Sequence, residues 1–262
     1  MRITDRPRNS TASHDCHLQP SFPAPPLRYL RSLSRLERHH PLARRNRLLN
    51  YGFLNICSLN HKVDDLLDFS RDHALGVILI AESWHDHDSN SVCRLRQMGF
   101  NVLDCPRPRP PGQLPSLMTN HGGLVAFGSS QIQLSRINLG ANPTSFEHLC
   151  FRVTTCSSSN VILLLYRTGT ISSLFFDELV AVLDSVMTYS VPVIVTGDLN
   201  IHVERLDDPH ALKLFIIMSS CGMSCRVNVP THVLGGTLDV VFTSVSSPLS
   251  VLSILDLSLI HI

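Results

Sequence analysis

The sequence predicts a layered α/β protein, on three observations. First, the mostly β-branched run Val191-Pro192-Val193-Ile194-Val195 reads as a buried strand leading into Thr196-Gly197-Asp198-Leu199-Asn200-Ile201-His202. Second, residues 53–81 read as strand, helix, strand. Third, residues 171–189 carry the strongest helical stripe of the chain, directly before the strand at Val191. In the first of these stretches Gly197 is expected to end the strand and to let the backbone come close to a neighbour. Asp198 and Asn200, two residues apart at a strand end, can then face one cleft, as on a catalytic rim. A polar turn is the competing reading.

With 262 residues, of which 44% are apolar, the chain is long enough for one sizeable core and fits one domain with a tail better than two small domains. The formal charge of +1 is uneven: residues 1–50 hold ten Arg and three acids, +7, which leaves −6 for residues 51–262. Residues 1–50, with prolines clustered from Pro20 to Pro26, read as a disordered basic arm in which Leu30 to Leu36 could form a helical turn or two. Such an arm can be an idle, solvated tail, contact nucleic-acid phosphates or direct nuclear import. The eight cysteines include no Cys-x-x-Cys pair, which suits reduced, buried thiols in an intracellular protein and not a disulfide framework or zinc site. The charged first residues and the lack of an apolar run of about 18 residues point to a soluble protein, neither secreted nor membrane-bound.

The body begins with a short strand, Phe53-Leu54-Asn55-Ile56, followed by a helix over Lys62–His73 with Val63, Leu66 and Leu67 at helical spacing. The strand Val77-Ile78-Leu79-Ile80-Ala81 comes next and ends in Glu82-Ser83-Trp84, a carboxylate beside the chain's only Trp. His85-Asp86-His87-Asp88 reads as a solvated loop; four adjacent side chains in an irregular segment seldom converge on one ion. A short helix over Ser91–Met98 precedes a strand over Asn101–Cys105. Residues 106–115 form a proline-rich basic loop, either a variable surface loop or one that lies along a nucleic acid.

Gly122-Gly123 leads into a strand over 124–127, and residues 131–137 alternate like a half-exposed strand. Residues 147–153 and 161–165 are further strands, the second ending in Tyr166-Arg167. A phenol beside a guanidinium suits a phosphate; a structural Tyr with a surface Arg is the other reading. In the long helix Phe176, Leu179, Val180, Leu183, Val186 and Met187 make the predicted apolar stripe. Asp208-Pro209 caps a helix through Leu212, Phe215 and Ile216 that stops near Gly222. A loop holding Thr231 and Gly235-Gly236 precedes a strand over 237–242 that has Asp239 near its start, and residues 251–255 are the last strand.

Strand ends thus supply Asn55, Glu82, Tyr166, Asp198, Asn200 and Asp239. This order, with Leu54-Asn-Ile-Cys-Ser-Leu-Asn60, Ala81-Glu-Ser-Trp84, His121-Gly-Gly-Leu-Val-Ala126, Gly197-Asp-Leu-Asn200 and Gly236-Thr-Leu-Asp239, resembles the endonuclease/exonuclease/phosphatase superfamily. Within it the endonuclease domain of LINE-type (non-LTR) retrotransposons is the more similar branch. The resemblance covers residues 53 to about 243. It implies an α/β (α+β) four-layer sandwich, two mostly antiparallel β-sheets packed face to face with flanking helices, over residues 51–262. It also implies Mg²⁺-dependent (or Mn²⁺-dependent) phosphodiester hydrolysis and a DNA-nicking activity, and it makes a nuclear location an expectation. By the same resemblance Glu82 would bind the metal with Asn55 assisting, Asp198 would orient or deprotonate the attacking water, and Asn200 would donate to a phosphate oxygen. Tyr166 would line the scissile group and Asp239 would fix a neighbouring catalytic group.

One departure stands out. The family closes its site with Ser-Asp-His on a last strand, where this chain reads Leu257-Ser258-Leu259-Ile260-His261-Ile262, with a His but no Asp before it. The resemblance therefore implies a chain altered or truncated at its last strand, with weakened activity. The alternative is an inactive retroelement-derived remnant that binds nucleic acid through its basic arm.

Overall fold

The computed structural model describes residues 28–32, 49–110, 112, 120–232, 235–245 and 252–256. In chain order the first elements are β1 (Arg28–Ser32), β2 (Tyr51–Asn55), α1 (Val63–Asp72), β3 (Val77–Ala81), α2 (Asn90–Gln97), β4 (Asn101–Cys105) and β5 (Leu124–Gly128). Then come β6 (Gln133–Arg136), β7 (Glu147–Thr154), β8 (Ser159–Tyr166), α3 (Ser173–Val186) and β9 (Val193–Asp198). The last are α4 (Pro209–Ser220), β10 (Met223–Cys225), β11 (Asp239–Ser244) and β12 (Leu252–Asp256).

The strands form two six-stranded sheets, ordered β12-β1-β2-β3-β5-β4 and β10-β11-β9-β8-β7-β6. Each sheet holds one parallel pair, β2 with β3 and β8 with β9, and is otherwise antiparallel. Parallel neighbours need a crossover, and α1 and α3 provide one for each sheet.

Successive strand residues face opposite sides, so an uninterrupted apolar run needs cover on both. Between the sheets, Phe53, Leu79 and Ala126 pack with Phe151, Leu164 and Ile194. On the outer face of the first sheet Leu54, Ile78 and Ile80 meet Leu66 of α1 and Leu95 of α2. On the outer face of the second, Leu163, Val195 and Phe242 meet Phe175 and Leu179 of α3 and Leu214 of α4. The result is helix, sheet, sheet, helix: the four-layer sandwich that the resemblance implied.

Several details differ from the expectation. Arg28–Ser32, read as part of a disordered arm, is a strand held between β2 and β12; the rest of residues 1–48 lies outside the described residues. Strand β9 runs through Gly197 to Asp198 instead of stopping at the glycine. On α3 the buried face is Phe175, Phe176, Leu179, Val182, Leu183 and Val186, with Val180 39% exposed. Turning the stripe by one position lets the Phe175 ring pack against those of Phe146 and Phe176, at 5.5 and 5.0 Å between centroids.

Helix α4 is apolar nearly all round, so periodicity could not choose a face. Packing beside β10 buries Ala211, Leu214 and Met218 and leaves Leu212 and Ile216 53% and 60% exposed. Among the described cysteines all are free, but only Cys150 is buried, which corrects the expectation of buried thiols.

Glu178 on α3 fastens the loop ahead of β7. Its carboxylate accepts from the Thr144 N–H at 2.9 Å, the Ser145 N–H at 2.9 Å and both their hydroxyls. Burial pushes the Glu178 carboxyl up, but the Ser145 and Thr144 bonds outweigh it and hold the group at about 2, below its ordinary 4.5. A carboxyl lowered in the folded state contributes its full stabilisation above its unfolded pKa and loses it as pH falls toward the folded value. Glu178→Gln is therefore expected to lower the melting temperature at neutral pH and to flatten the loss of stability between pH 4.5 and about 2. Thermal melts across that range check this, and an acid limb identical to wild type would contradict it.

Candidate active site

The residues singled out at strand ends gather at one end of the cleft between the sheets. In the second sheet, register aligns Glu147 with Tyr166, Tyr166 with Asp198, and Asp198 with Asp239, one row across β7, β8, β9 and β11. Strand alternation turns all four inward, because Leu149, Leu164, Ile194 and Val241, an even number of residues away, belong to the inter-sheet core. From the first sheet Asn55 faces inward by the same parity, with Phe53 two residues before it in that core.

Glu82 breaks the alternation. Following the inward Ala81, it would point outward, but its backbone is left-handed at φ 52°, and its carboxylate turns back into the cleft. There its Oε1 accepts from Asn55 Nδ2 at 2.8 Å and from the Tyr166 hydroxyl at 2.6 Å, while Oε2 accepts from Trp84 Nε1 at 3.3 Å. The same Asn55 nitrogen donates to Asp198 Oδ2 at 2.9 Å, so one amide joins carboxylates from the two sheets. Asp198 Oδ1 accepts from the Asn200 N–H at 2.9 Å. Asn200 Nδ2 gives one hydrogen to the Arg167 carbonyl at 2.6 Å, which fixes the amide plane and leaves a second hydrogen to donate.

Left-handed non-glycine residues are uncommon and costly, yet Cys57, Ser58, Glu82, Trp84 and Asn200 all adopt that conformation around this cluster. Two buried cations clasp the loops concerned. Lys62 Nζ donates to the Ile56 carbonyl at 2.8 Å, and Arg167 donates to carbonyls of the 199–200 turn.

Electrostatics follow from crowding carboxylates in a buried place. Burial pushes Asp198 up to about 6, with Glu82 adding to the rise and the Asn55 and Asn200 hydrogen bonds opposing it. Asp239 is raised well above the usual carboxylate range by burial and then by Asp198 beside it. Burial and the Glu82 carboxylate raise the Tyr166 hydroxyl, which stays protonated as a donor. Among the described residues no Lys or Arg nitrogen forms an ion pair with Glu82, Asp198 or Asp239.

Two carboxylates sharing a neutral amide suit a hard divalent cation, which takes oxygen ligands and keeps some of its waters. No set of three or more His, Cys, Asp or Glu placed to hold a metal occurs among the described residues. The Asn55 amide turns its nitrogen to both carboxylates and its oxygen to the Cys57 N–H at 3.3 Å; turned over, that oxygen would join Glu82 as a ligand, with water completing the set.

Some sequence readings need correction. Arg167 is not a surface residue; it is 2% exposed and directs three donors to backbone carbonyls of the 169 and 199–200 segments. The 85–88 loop is not simply solvated: His85 is 1% exposed, with Nδ1 2.6 Å from Ser83 Oγ and Nε2 3.5 Å from Asp104 Oδ2. His261, where the resemblance places the closing histidine, lies outside the described residues. Glu147 was passed over; its Oε2 accepts from the Gly123 N–H at 2.6 Å, its Oε1 pairs with Arg107, and burial raises its carboxyl. The signal was its place at the start of a strand antiparallel to the one ending in Tyr166.

No known family model and no characterised protein matches the chain in sequence. Solved structures do match in shape. The endonuclease domain of TRAS1, a telomere-specific non-LTR retrotransposon, superposes with a TM-score of 0.54 at 12% identity, covering 76% of this chain and 86% of that one. A 3'-5' exonuclease, NExo, from Neisseria meningitidis gives 0.53 at 15% identity over 75% and 86%. The human Nocturnin catalytic domain with bound sulfate gives 0.52 at 16% identity over 73% and 79%. At these identities the likeness is one of fold.

Proposed function

We propose that this chain, which has the endonuclease/exonuclease/phosphatase fold, hydrolyses phosphodiester bonds of nucleic acid at the cleft between its sheets. The finer reading is a Mg²⁺-dependent, DNA-nicking endonuclease of the non-LTR retrotransposon kind, acting inside the cell and in the nucleus. The observation that carries it is the Asn55 amide shared by Glu82 and Asp198, with Tyr166 and Asn200 as donors on either side. The retrotransposon assignment is supported by the motif order in the sequence and by the likeness to the TRAS1 domain.

A phosphodiester is an anion, so its hydrolysis needs charge screening, an aimed water and donors for the oxygens that gain charge. Glu82 and the Asn55 amide oxygen would hold the divalent ion; bound there, it supplies the screening and polarises the phosphoryl oxygen. Asp198, raised toward neutrality by burial, is suited to accept the proton of an attacking water. The second hydrogen on Asn200 Nδ2 donates to a non-bridging oxygen. The protonated Tyr166 hydroxyl holds Glu82 in place. Asp239, raised well above the usual carboxylate range by burial and by Asp198 beside it, stands next to Asp198 in the same row and fixes its surroundings.

Incubation with supercoiled plasmid tests this reading. Nicked circles are expected with Mg²⁺ or Mn²⁺ and not with a chelator, and Glu82→Ala is expected to cut the rate by about 10²-fold or more. Calorimetry of Mg²⁺ binding, weakened in the same variant, is the check that does not depend on activity. Plasmid left intact by the wild-type chain at every ion concentration would remove the nuclease reading.

A further inference from the structure

We propose that Arg167 is the positioning residue of this site, a buried guanidinium that meets no phosphate but holds the Leu199-Asn200 turn in the shape that presents Asp198 and Asn200 to the cleft. This rests on the proposed hydrolysis for its functional meaning and on geometry alone for its structural part.

Arg167 follows the last residue of β8, with its side chain 2% exposed. Its Nε donates to the Leu199 carbonyl at 2.6 Å, Nη2 to the Asn200 carbonyl at 2.9 Å and Nη1 to the Gly169 carbonyl at 2.8 Å. The guanidinium carbon sits 5.5 Å from the centre of the Phe175 ring, which closes its outer side. Its backbone takes part too: the Arg167 N–H donates to the Asp198 carbonyl at 2.9 Å, and its carbonyl accepts from Asn200 Nδ2 at 2.6 Å. Residue 167 thus touches the turn at Asp198, Leu199 and Asn200, backbone and side chain, across 33 positions of sequence.

The need for such a clasp lies in Asn200, whose φ is 50°. An isolated Asn in that region costs free energy, and it persists where the surroundings over-determine it. A planar fork with fixed donor directions can hold two consecutive carbonyls at once; an ammonium, a point charge on a flexible stem, cannot. A direct salt bridge to Asp198 would hold that carboxylate ionised and make it a poorer proton acceptor; with carbonyl partners the guanidinium opposes the rise of Asp198 only from a distance.

A phosphate ligand and a positioning residue make different predictions for Arg167→Lys and Arg167→Met. For a positioning residue, kcat for plasmid nicking is expected to fall about 10²-fold in either variant. DNA affinity stays within about threefold, and the slope of log binding constant against log salt is unchanged. A slope reduced by about 1 with kcat retained would assign Arg167 to a phosphate and overturn the proposal.

The second measurement needs no activity. In heteronuclear NMR spectra the Asn200 side-chain amide signals are expected to shift and exchange faster in both variants, and unshifted signals would overturn the proposal as well. Arg167→Lys keeps the charge and the packing stem, so it reads the clasp even if Arg167→Met does not fold. Were the wild-type chain to nick nothing, the hydrolytic reading would fall while the Asn200 signals still decided the role of Arg167.

Discussion

Asp198→Asn is expected to lower the rate of the proposed phosphodiester hydrolysis by about 10³-fold, the range for removing a positioned proton acceptor. It is also expected to stabilise the metal-free protein. Asp198 is pushed by burial to about 6 in the folded state, above its ordinary 3.8. A raised carboxyl favours folding in its protonated form, so its contribution is full below 3.8 and is lost as pH rises through about 6. The neutral Asn escapes that loss. In chelator at about pH 8 the variant should melt higher than wild type by about 5 °C, and the gap should close near pH 4. A variant that is both active and no more stable than wild type at pH 8 would contradict the role given to this carboxylate.

Gly197→Ala is expected to destabilise the fold by about 4 kcal/mol, near the top of the range for single substitutions. The residue sits at φ 153°, and a Cβ there would lie 1.9 Å from the Leu165 carbonyl oxygen of the neighbouring strand. Backbone is the obstacle, so no rotamer change relieves the clash. Relief requires β8 and β9 to part at the very place where Tyr166 and Asp198 stand side by side. Urea denaturation measures the loss, and a midpoint within error of wild type would show that the strands tolerate the separation.

Much of this arrangement was legible in the sequence because the site is built on strand ends. An apolar run that stops at a carboxylate or amide marks where β2, β3 and β9 leave the core, and Asn55, Glu82 and Asp198 meet there. What escaped depends on partners remote in sequence. Arg167 reads as a polar residue after a strand until the Leu199 and Asn200 carbonyls are placed around it. Glu147 gains its position only from register with Tyr166. The buried face of α4 was illegible for the opposite reason, since a helix apolar nearly all round carries little periodicity to read. Arg28–Ser32 has too few apolar residues to announce a strand; its pairing with β2 and β12 is what makes it one.

Asn55 and Asp198 stand 143 positions apart in the chain, and a single amide spans them. Contacts so remote in sequence form slowly because the intervening loop must close first. Catalytic competence should thus be among the last properties regained on refolding, later than the return of helix and sheet signals. The two halves of the polypeptide, each with its own parallel pair, should recover it only when mixed.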